Sequence, residues 1–492
     1  MIRQILALAL LGNGTIVSTG VAMAQSQAMP AASHLSLNQV LQIGLPQSLR
    51  LERADRQVAR DAALTNVNRA LLLPRLDLIG SASYTQVGTS VGLLTNLPTL
   101  GDISLSLRQK GYAVLRNSFA NAGVVLDVNL LPLQPLATLA ASRAMQEGGL
   151  ASRRESERQS RFELVSAYRQ LQLHQALVPV WKTALQASSA LEADVTAFRR
   201  RGLAARIDTL RAQALKEADR RGLAEVEAQL LAQRQRLLTL LQRPSDAELV
   251  ASDPIAPQAA WPLDLASTVE RALAGRPLLE ALQWQQQAQR QQARAARAGN
   301  LPSVMLIAGI GYSGNRLEAP VLQANGSVAG AGTLPLPKLE QSASASGSFY
   351  NWGAAVLVRQ PLWDGGRSND AAALADREAD LLLADERLAR QQIRLDVSSA
   401  WSALQAAPQA IAAARDGVAA QEQALRDARL RYRAQVDPLT DVLLVQRDLQ
   451  AARAALLMVL TRQALDHAVL ERETGGAGAM AAEASICSDR SC

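Results

Sequence analysis

The chain is poor in the residues that most often carry chemistry or staple a fold. Of 492 residues, two are cysteine and three are histidine. Cys487 and Cys492 both stand in the Gly/Ala/Ser-rich stretch that begins at Gly475, so they brace no domain and show no zinc-ligand spacing. They either pair locally or stay free. His34, His174 and His467 are isolated, and no H-E-x-x-H, C-x-x-C or nucleophile elbow occurs. No metal, no cofactor and no enzymatic reaction is therefore expected. Aromatic residues make up only 3%, and the net charge of +7, from 51 basic and 44 acidic residues, is scattered along helical stretches. A nucleic-acid surface needs a basic stripe interleaved with aromatics, so none is expected here. Past the first 24 residues there is no apolar run of 18 or more, which excludes a membrane-spanning helix.

One further signal is set aside on context. Gly309 to Gly314 spells G-x-G-x-x-G after a strand pattern, but a dinucleotide site needs a helix next. Here Asn315 to Gly332 reads as a polar, Gly-rich loop.

Among the features that are present, the start is an export signal over residues 1–24: Arg3, the apolar Ile5 to Leu11, and Ala22-Met23-Ala24 as the cleavage site. No cysteine stands near that site to be lipidated. Beyond it the chain matches itself. At a shift of 228, Leu35 lies on Leu263, Leu37 on Leu265, Pro74 on Pro302 and Tyr84 on Tyr312; at 233, Ala167-Tyr168 lies on Ala400-Trp401 and Asp208 on Asp441. A long period of this kind means that each unit needs its twin to complete a core. The expected organisation is a first repeat over 35–243, a linker over 244–262, a second repeat over 263–473 and a disordered tail over 474–492.

Each repeat reads as an amphipathic helix, a strand, a polar loop, a second strand, a very long helix, a short turn and a returning helix. Leu374, Leu381, Leu388 and Leu395 recur every seven residues and are followed by Leu404, Ile411, Val418, Leu425 and Tyr432 in a second register. Heptads sustained this far predict supercoiled packing. From Arg367 to Tyr432 the helix is roughly 100 Å long at its usual rise, too long for a single globular core. Pro179 and Pro408, about one turn apart in the alignment of the repeats, predict a kink or handover in each long helix.

Period-two alternation marks the strands: Leu76 and Leu78 around Asp77, then Leu126, Val128 and Leu130 around Asp127 and Asn129, with Val304 to Tyr312 and Ala354 to Val358 as counterparts. Exported hairpins with one apolar face suit a membrane barrel. In lipid every backbone group must be paired, and four strands cannot close by themselves, since barrels need about eight or more. Other copies of the chain must supply the rest.

These segments resemble the TolC-type outer-membrane efflux proteins over about 35–473. The resemblance lies in the order and duplication of Leu35-Ser36-Leu37 and Leu263-Asp264-Leu265, Leu73-Pro74 and Leu301-Pro302, Gln360-Pro361-Leu362-Trp363-Asp364-Gly365-Gly366, and Arg431-Tyr432-Arg433-Ala434. It implies a mainly α protein with a membrane β-barrel share: a homotrimer with four strands per chain in a 12-stranded barrel and long coiled-coil helices forming a periplasmic tunnel. It also implies an outer-membrane channel that exports small molecules or proteins with a periplasmic adaptor and an inner-membrane efflux pump or secretion transporter. Outer-membrane lipid surrounds the barrel, and the cargo stays open.

The resemblance further implies that adaptor hairpins dock at the two helix turns, at Gly202, Leu203, Gln435 and Val436. Glycine is usual where Gln435 stands. A glycine at a helix end also serves as a C-cap, and the two roles are compatible. Tyr432 reaching Asp208 would close the pore, though Tyr432 also ends the heptad series. Asp441 would supply a ring of carboxylates, while Leu444 fills the place of a second ring. Two alternatives remain from other classes: a periplasmic adaptor, which carries one hairpin rather than two, and a coiled-coil structural protein of the envelope.

Overall fold

A computed structural model describes residues 33–96, 106–245, 247–329, 334–335 and 339–475. The expected export signal, the tail beyond 475 and both cysteines lie outside the described residues. Along the chain the elements are β1 (Ser33–Leu35), α1 (Leu37–Gly44), α2 (Leu49–Ala70), β2 (Arg75–Asn96), β3 (Ser106–Asn129), α3 (Leu133–Arg200) and α4 (Arg206–Leu240). Then follow β4 (Leu249–Ala251), α5 (Leu265–Gly275), α6 (Pro277–Ala298), β5 (Ser303–Ala329), β6 (Leu334–Pro335), β7 (Leu339–Arg359), α7 (Arg367–Arg433) and α8 (Leu439–Thr474). Both long helices continue unbroken through their prolines, so no handover occurs at Pro179 or Pro408.

The chain divides into two compact units, each drawing on three stretches. The first takes residues 33–44, 164–257 and 410–462. In it β1 and β4 pair in parallel, Ser33 with Leu249 through Leu35 with Ala251. Asp253 then accepts from the Leu37 amide at 2.7 Å and from the Tyr168 hydroxyl at 2.9 Å, capping α1. Tyr168 is wholly buried and also donates to the Leu35 carbonyl at 3.0 Å. Burial pushes its pKa up to about 12, which keeps the phenol protonated and able to donate. Two apolar clusters hold the helices. One gathers Leu191, Val195 and Ala212 with Leu425, Ala428, Leu439, Val442 and Leu449. The other gathers Leu173, Leu177 and Val226 around Trp181. Gly222 must be glycine there, because a Cβ would stand 2.0 Å from the Trp181 ring. Asp219, one turn before it, is buried, and desolvation raises its carboxyl pKa with only Ser188 easing the cost.

The second unit takes residues 45–163, 258–409 and 463–475 and holds the large sheet. Its ladder is antiparallel in the order β2, β3, β5, with both β7 and the short β6 paired to β5. The strands run 21 to 27 residues, far beyond the alternating stretches visible in the sequence. In particular, the segment from Asn315 that reads as a loop continues β5 to Ala329, paired with β3. Small and polar residues conceal the alternation there, but a backbone laddered on both sides needs no hydrophobic period to remain extended. The Gly309 to Gly314 run is thus strand, not a phosphate-binding turn. Gly311 is required by close approach: a Cβ would meet the Ala122 carbonyl at 3.1 Å and Asn351 Oδ1 at 2.9 Å.

Register sorts the sheet into two faces. Leu78, Val124, Ile310 and Trp352 form one cross-strand row, and Ala122, Tyr312 and Tyr350 lie in the next, on an apolar face. On the other face Asn121 accepts from the Ser81 amide and hydroxyl, and Arg75 pairs with Asp77 at 2.8 Å. Among the described residues, the outer edges of β2 and β7 have no strand partner.

In this unit Trp261, Ala272, Leu279, Ile393, Val397, Ala400, Leu404 and Leu470 form an apolar core. Trp401 Nε1 donates to the Leu263 carbonyl at 3.1 Å. The heptad residues divide. Leu404, Ile411 and Leu425 of the second register are buried, whereas Leu374, Leu381, Leu388 and Leu395 are 61–65% exposed, a stripe that the chain itself does not cover.

Candidate docking and gating turns

Both short turns of the first unit are built alike. At the end of α3 the Leu203 amide donates back to the Phe198 carbonyl at 2.9 Å and the Gly202 amide to Arg199 at 3.0 Å. At the end of α7 the Val436 amide donates to Arg431 at 2.9 Å and the Gln435 amide to Tyr432 at 3.0 Å. This pattern needs a left-handed residue after the helix. Gly202 has φ +76°, and Gln435 takes φ +60° despite its side chain. Replacing Gln435 with glycine is accordingly expected to raise stability by about 1 kcal/mol by removing the left-handed cost, visible as a higher thermal midpoint; a lower midpoint would show that the glutamine side chain holds the turn.

Just past each bend an aspartate occupies the third helical position, Asp208 in α4 and Asp441 in α8. They differ in what they bind. Asp208 reaches back to the Ala205 amide at 3.2 Å as half of a capping box, with Arg211 3.9 Å away. At the matching place before α8 stands Pro438, which has no N–H to offer. Asp441 therefore stays exposed, with the Thr440 hydroxyl at 3.4 Å.

Tyr432 packs its ring against Phe198, centroids 5.9 Å apart, on the edge of the Leu191–Leu449 apolar cluster. Its hydroxyl is buried without a hydrogen-bond partner among the described residues. Burial, then the negative charges of Asp208 and Asp194, raise its pKa, so the phenol keeps its proton. Asp194 itself pairs with Arg433 at 3.2 Å, tying α3 to α7. Desolvation and the adjacent Arg433 push the Arg429 pKa down. Gly202, Leu203, Gln435 and Val436 are all exposed, and the space around Gly202 is open.

Residues 268–476 match the family model described as outer membrane efflux protein. Over that stretch the chain resembles the outer membrane efflux protein family. A curated relative, Outer membrane efflux protein BepC of Brucella suis biovar 1 (strain 1330), is 28% identical over 165 residues, 34% of this chain and 35% of that protein. The alignment therefore spans about a third of the relative. The outer membrane protein VceC of Vibrio cholerae shares the fold with a TM-score of 0.68 at 18% identity, over 89% of this chain and 96% of that one. The open state of the Neisseria gonorrhoeae MtrE outer membrane channel does so at 0.65 and 20%, over 89% of each chain.

The sequence pointed to the turns but missed several residues beside them. Ile207 and Leu210 are exposed at the start of α4, a few residues on from exposed Leu203. Their spacing of three at a helix start was the available signal. Gln446 is buried on α8 with neither amide atom bonded, and an isolated glutamine among apolar neighbours gave no warning of that. Among the described residues no cluster of His, Cys, Asp or Glu is arranged to hold a metal ion.

Proposed function

We propose that this chain is one third of an outer-membrane channel-tunnel, which passes small molecules or proteins outward in concert with a periplasmic adaptor and an inner-membrane pump. The observation that carries this reading is the sheet: four long strands, one apolar face, one polar face and two unpaired edges. An open edge cannot stand in lipid, and edges of more than 20 residues invite pairing with another copy. Three copies would close a 12-stranded barrel. The exposed leucine stripe on α7 supports the same assembly, since it offers a coiled-coil seam to a neighbour. Detergent extraction of outer membranes is expected to yield a heat-resistant trimer; release by salt alone would favour an adaptor or an envelope rod instead.

Adaptor tips dock at the exposed turns around Gly202, Leu203, Gln435 and Val436. Cysteines placed at Leu203 and Val436 are expected to crosslink the adaptor, and the pump captured with it would identify the cargo class. Asp441 faces the pore as the free carboxylate, and three copies favour cations in a narrow, low-dielectric passage. Asp441→Asn is expected to lower cation selectivity in single-channel recording, and unchanged selectivity removes the ring. Tyr432 restrains the closed state by packing its ring against Phe198. Tyr432→Ala is expected to raise conductance; if conductance stays at the wild-type level, the ring is no part of the latch.

A further inference from the structure

The four helices that join the large sheet of the second unit follow one another in a fixed order. Arg153 of α3 pairs with Asp55 of α2, and Glu163 of α3 with Arg50 of α2, both at 2.6 Å. α3 also meets α6, where Arg154 pairs with Glu280 at 2.8 Å. α6 in turn meets α7, where Gln283 donates to Glu386 at 2.9 Å and Arg297 pairs with Asp376. The order α2, α3, α6, α7 repeats the strand order β2, β3, β5, β7 of the sheet they enter and leave. It makes α2 and α7 the two flanks of the helices, as β2 and β7 are the edges of the sheet.

Each flank carries an exposed stripe. On α2, Leu49, Arg53, Arg56, Arg60, Leu64 and Val67 recur at steps of three and four, which places them on one face, and all are exposed. On α7 the bare leucines Leu374, Leu381, Leu388 and Leu395 share their face with exposed Asp385, four residues after Leu381 and three before Leu388. α2 leads into β2 and α7 leaves β7 at the same end of the ladder, where Arg75 and Ala355 share a row. Residues equally far from that end therefore stand at matching depth. Leu64 is six residues before Ala70 and Leu374 is seven after Arg367, about 10 Å along either helix. Leu49 and Leu388 each stand 21 residues in, about 30 Å along. Between these leucine levels, Arg53 is 17 residues in on α2 and Asp385 is 18 in on α7. Their charged neighbours are engaged within the chain: Arg56 with Glu52, Arg60 with Asp61, Asp380 with Arg377 and Glu386 with Arg390. Arg53 and Asp385 enter no ion pair among the described residues.

We propose that the α7 flank of one copy is covered by the α2 flank of the next, Leu374 against Leu64 and Leu388 against Leu49, with Asp385 paired to Arg53 across the seam. Leucines meeting at both levels set the register, and the lone opposite charges between them complete it. The contact joins two different surfaces, so it runs head to tail and closes when the last copy meets the first. The same step brings β7 of one copy beside β2 of the next and pairs both edges that the sheet leaves open. Two α7 helices facing each other would set Asp385 against its twin and leave both β2 edges bare. This seam rests on the trimer proposed above and specifies which surfaces meet in it.

In the full chain carrying Cys487→Ser and Cys492→Ser, Leu64→Cys with Leu374→Cys is expected to be joined by a short bismaleimide into covalent dimers and trimers on a denaturing gel. Either new cysteine alone should stay monomeric there. Crosslinking by Leu374→Cys alone places α7 against α7 and overturns the seam. Light scattering in detergent before the reaction separates two ways of failing. A trimer that does not crosslink overturns the seam and leaves the trimer standing, whereas a monomer removes both. Arg53→Asp and Asp385→Arg are each expected to lower the temperature at which the trimer dissociates by several degrees, and the two together to restore most of it. A combination no more stable than either single variant overturns the ion pair.

Discussion

A chain carrying Leu381→Glu together with Leu388→Glu is expected to fold and to run as a monomer in detergent, in place of the trimer proposed for the parent. The two leucines are 65% and 63% exposed, in line with Leu374 and Leu395 at steps of seven. The side of α7 turned into its own chain is a different one, made of Ala372, Ala375, Ala379, Ile393 and Val397. Charges on the outer stripe therefore leave the internal packing intact. Across an assembled seam, each leucine covered by a neighbour contributes about 2 kcal/mol. Two buried, unpaired carboxylates at each seam reverse that gain and add a desolvation cost. Size-exclusion chromatography with light scattering reads the outcome, and circular dichroism checks that helix content is kept. A persistent trimer would mean that the stripe faces solvent or another protein. Leu381→Ala with Leu388→Ala tests the same point more gently and should yield a trimer that dissociates at lower temperature.

That stripe also shows how far the sequence could be read. The heptads correctly placed α7 within a residue of its end, but period alone does not say who covers a face. A monomer buries the second register and leaves the first bare, and only the coordinates separate the two. The self-match was legible in finer detail. It aligned Leu35 with Leu263 and Tyr168 with Trp401, and in each half the aromatic side chain donates to the carbonyl of that leucine. A phenol and an indole differ in shape yet both carry one donor on a flat apolar body, so the contact survives the change. Gln435 was legible as a departure from Gly202, while its left-handed backbone was not, because nothing in a glutamine announces a positive φ. Strand length was misjudged for a related reason. Alternation is imposed by two unlike environments, and it fades in the sequence beyond Asn315, where Gly, Asn, Gln and Ser interrupt any apolar period.

The buried charges of the second unit left no trace in sequence pattern, and they carry the largest stability effect expected in the molecule. Arg276 sits between Gly275 and Pro277, at the junction of α5 and α6, with its side chain 7% exposed. Glu473 near the end of α8 is 1% exposed and bridges Arg276 and Arg472. Arg472 reaches on toward Asp396 at 3.6 Å and lies 4.7 Å above the Phe162 ring. Glu473 thus holds two cations out of water, and through them ties α8 to α3 and α7 and to the α5–α6 junction. Glu473→Gln keeps the shape and removes the charge, so Arg276 is left with Glu155 alone and Arg472 with Asp396 at 3.6 Å, in a site that water scarcely reaches. Breaking such a buried pair from one side costs about 3–5 kcal/mol, and a large fall in the urea midpoint is expected. Added salt should rescue little of it, since screening acts weakly on groups this buried. The double variant Arg276→Met with Glu473→Leu should recover only part of the loss, because it removes the desolvation cost of that pair but leaves Glu155 without Arg276 and Arg472 without Glu473. If Glu473→Gln unfolds at the parent midpoint, the network is neutral and α8 is held by Leu470 and its apolar neighbours alone.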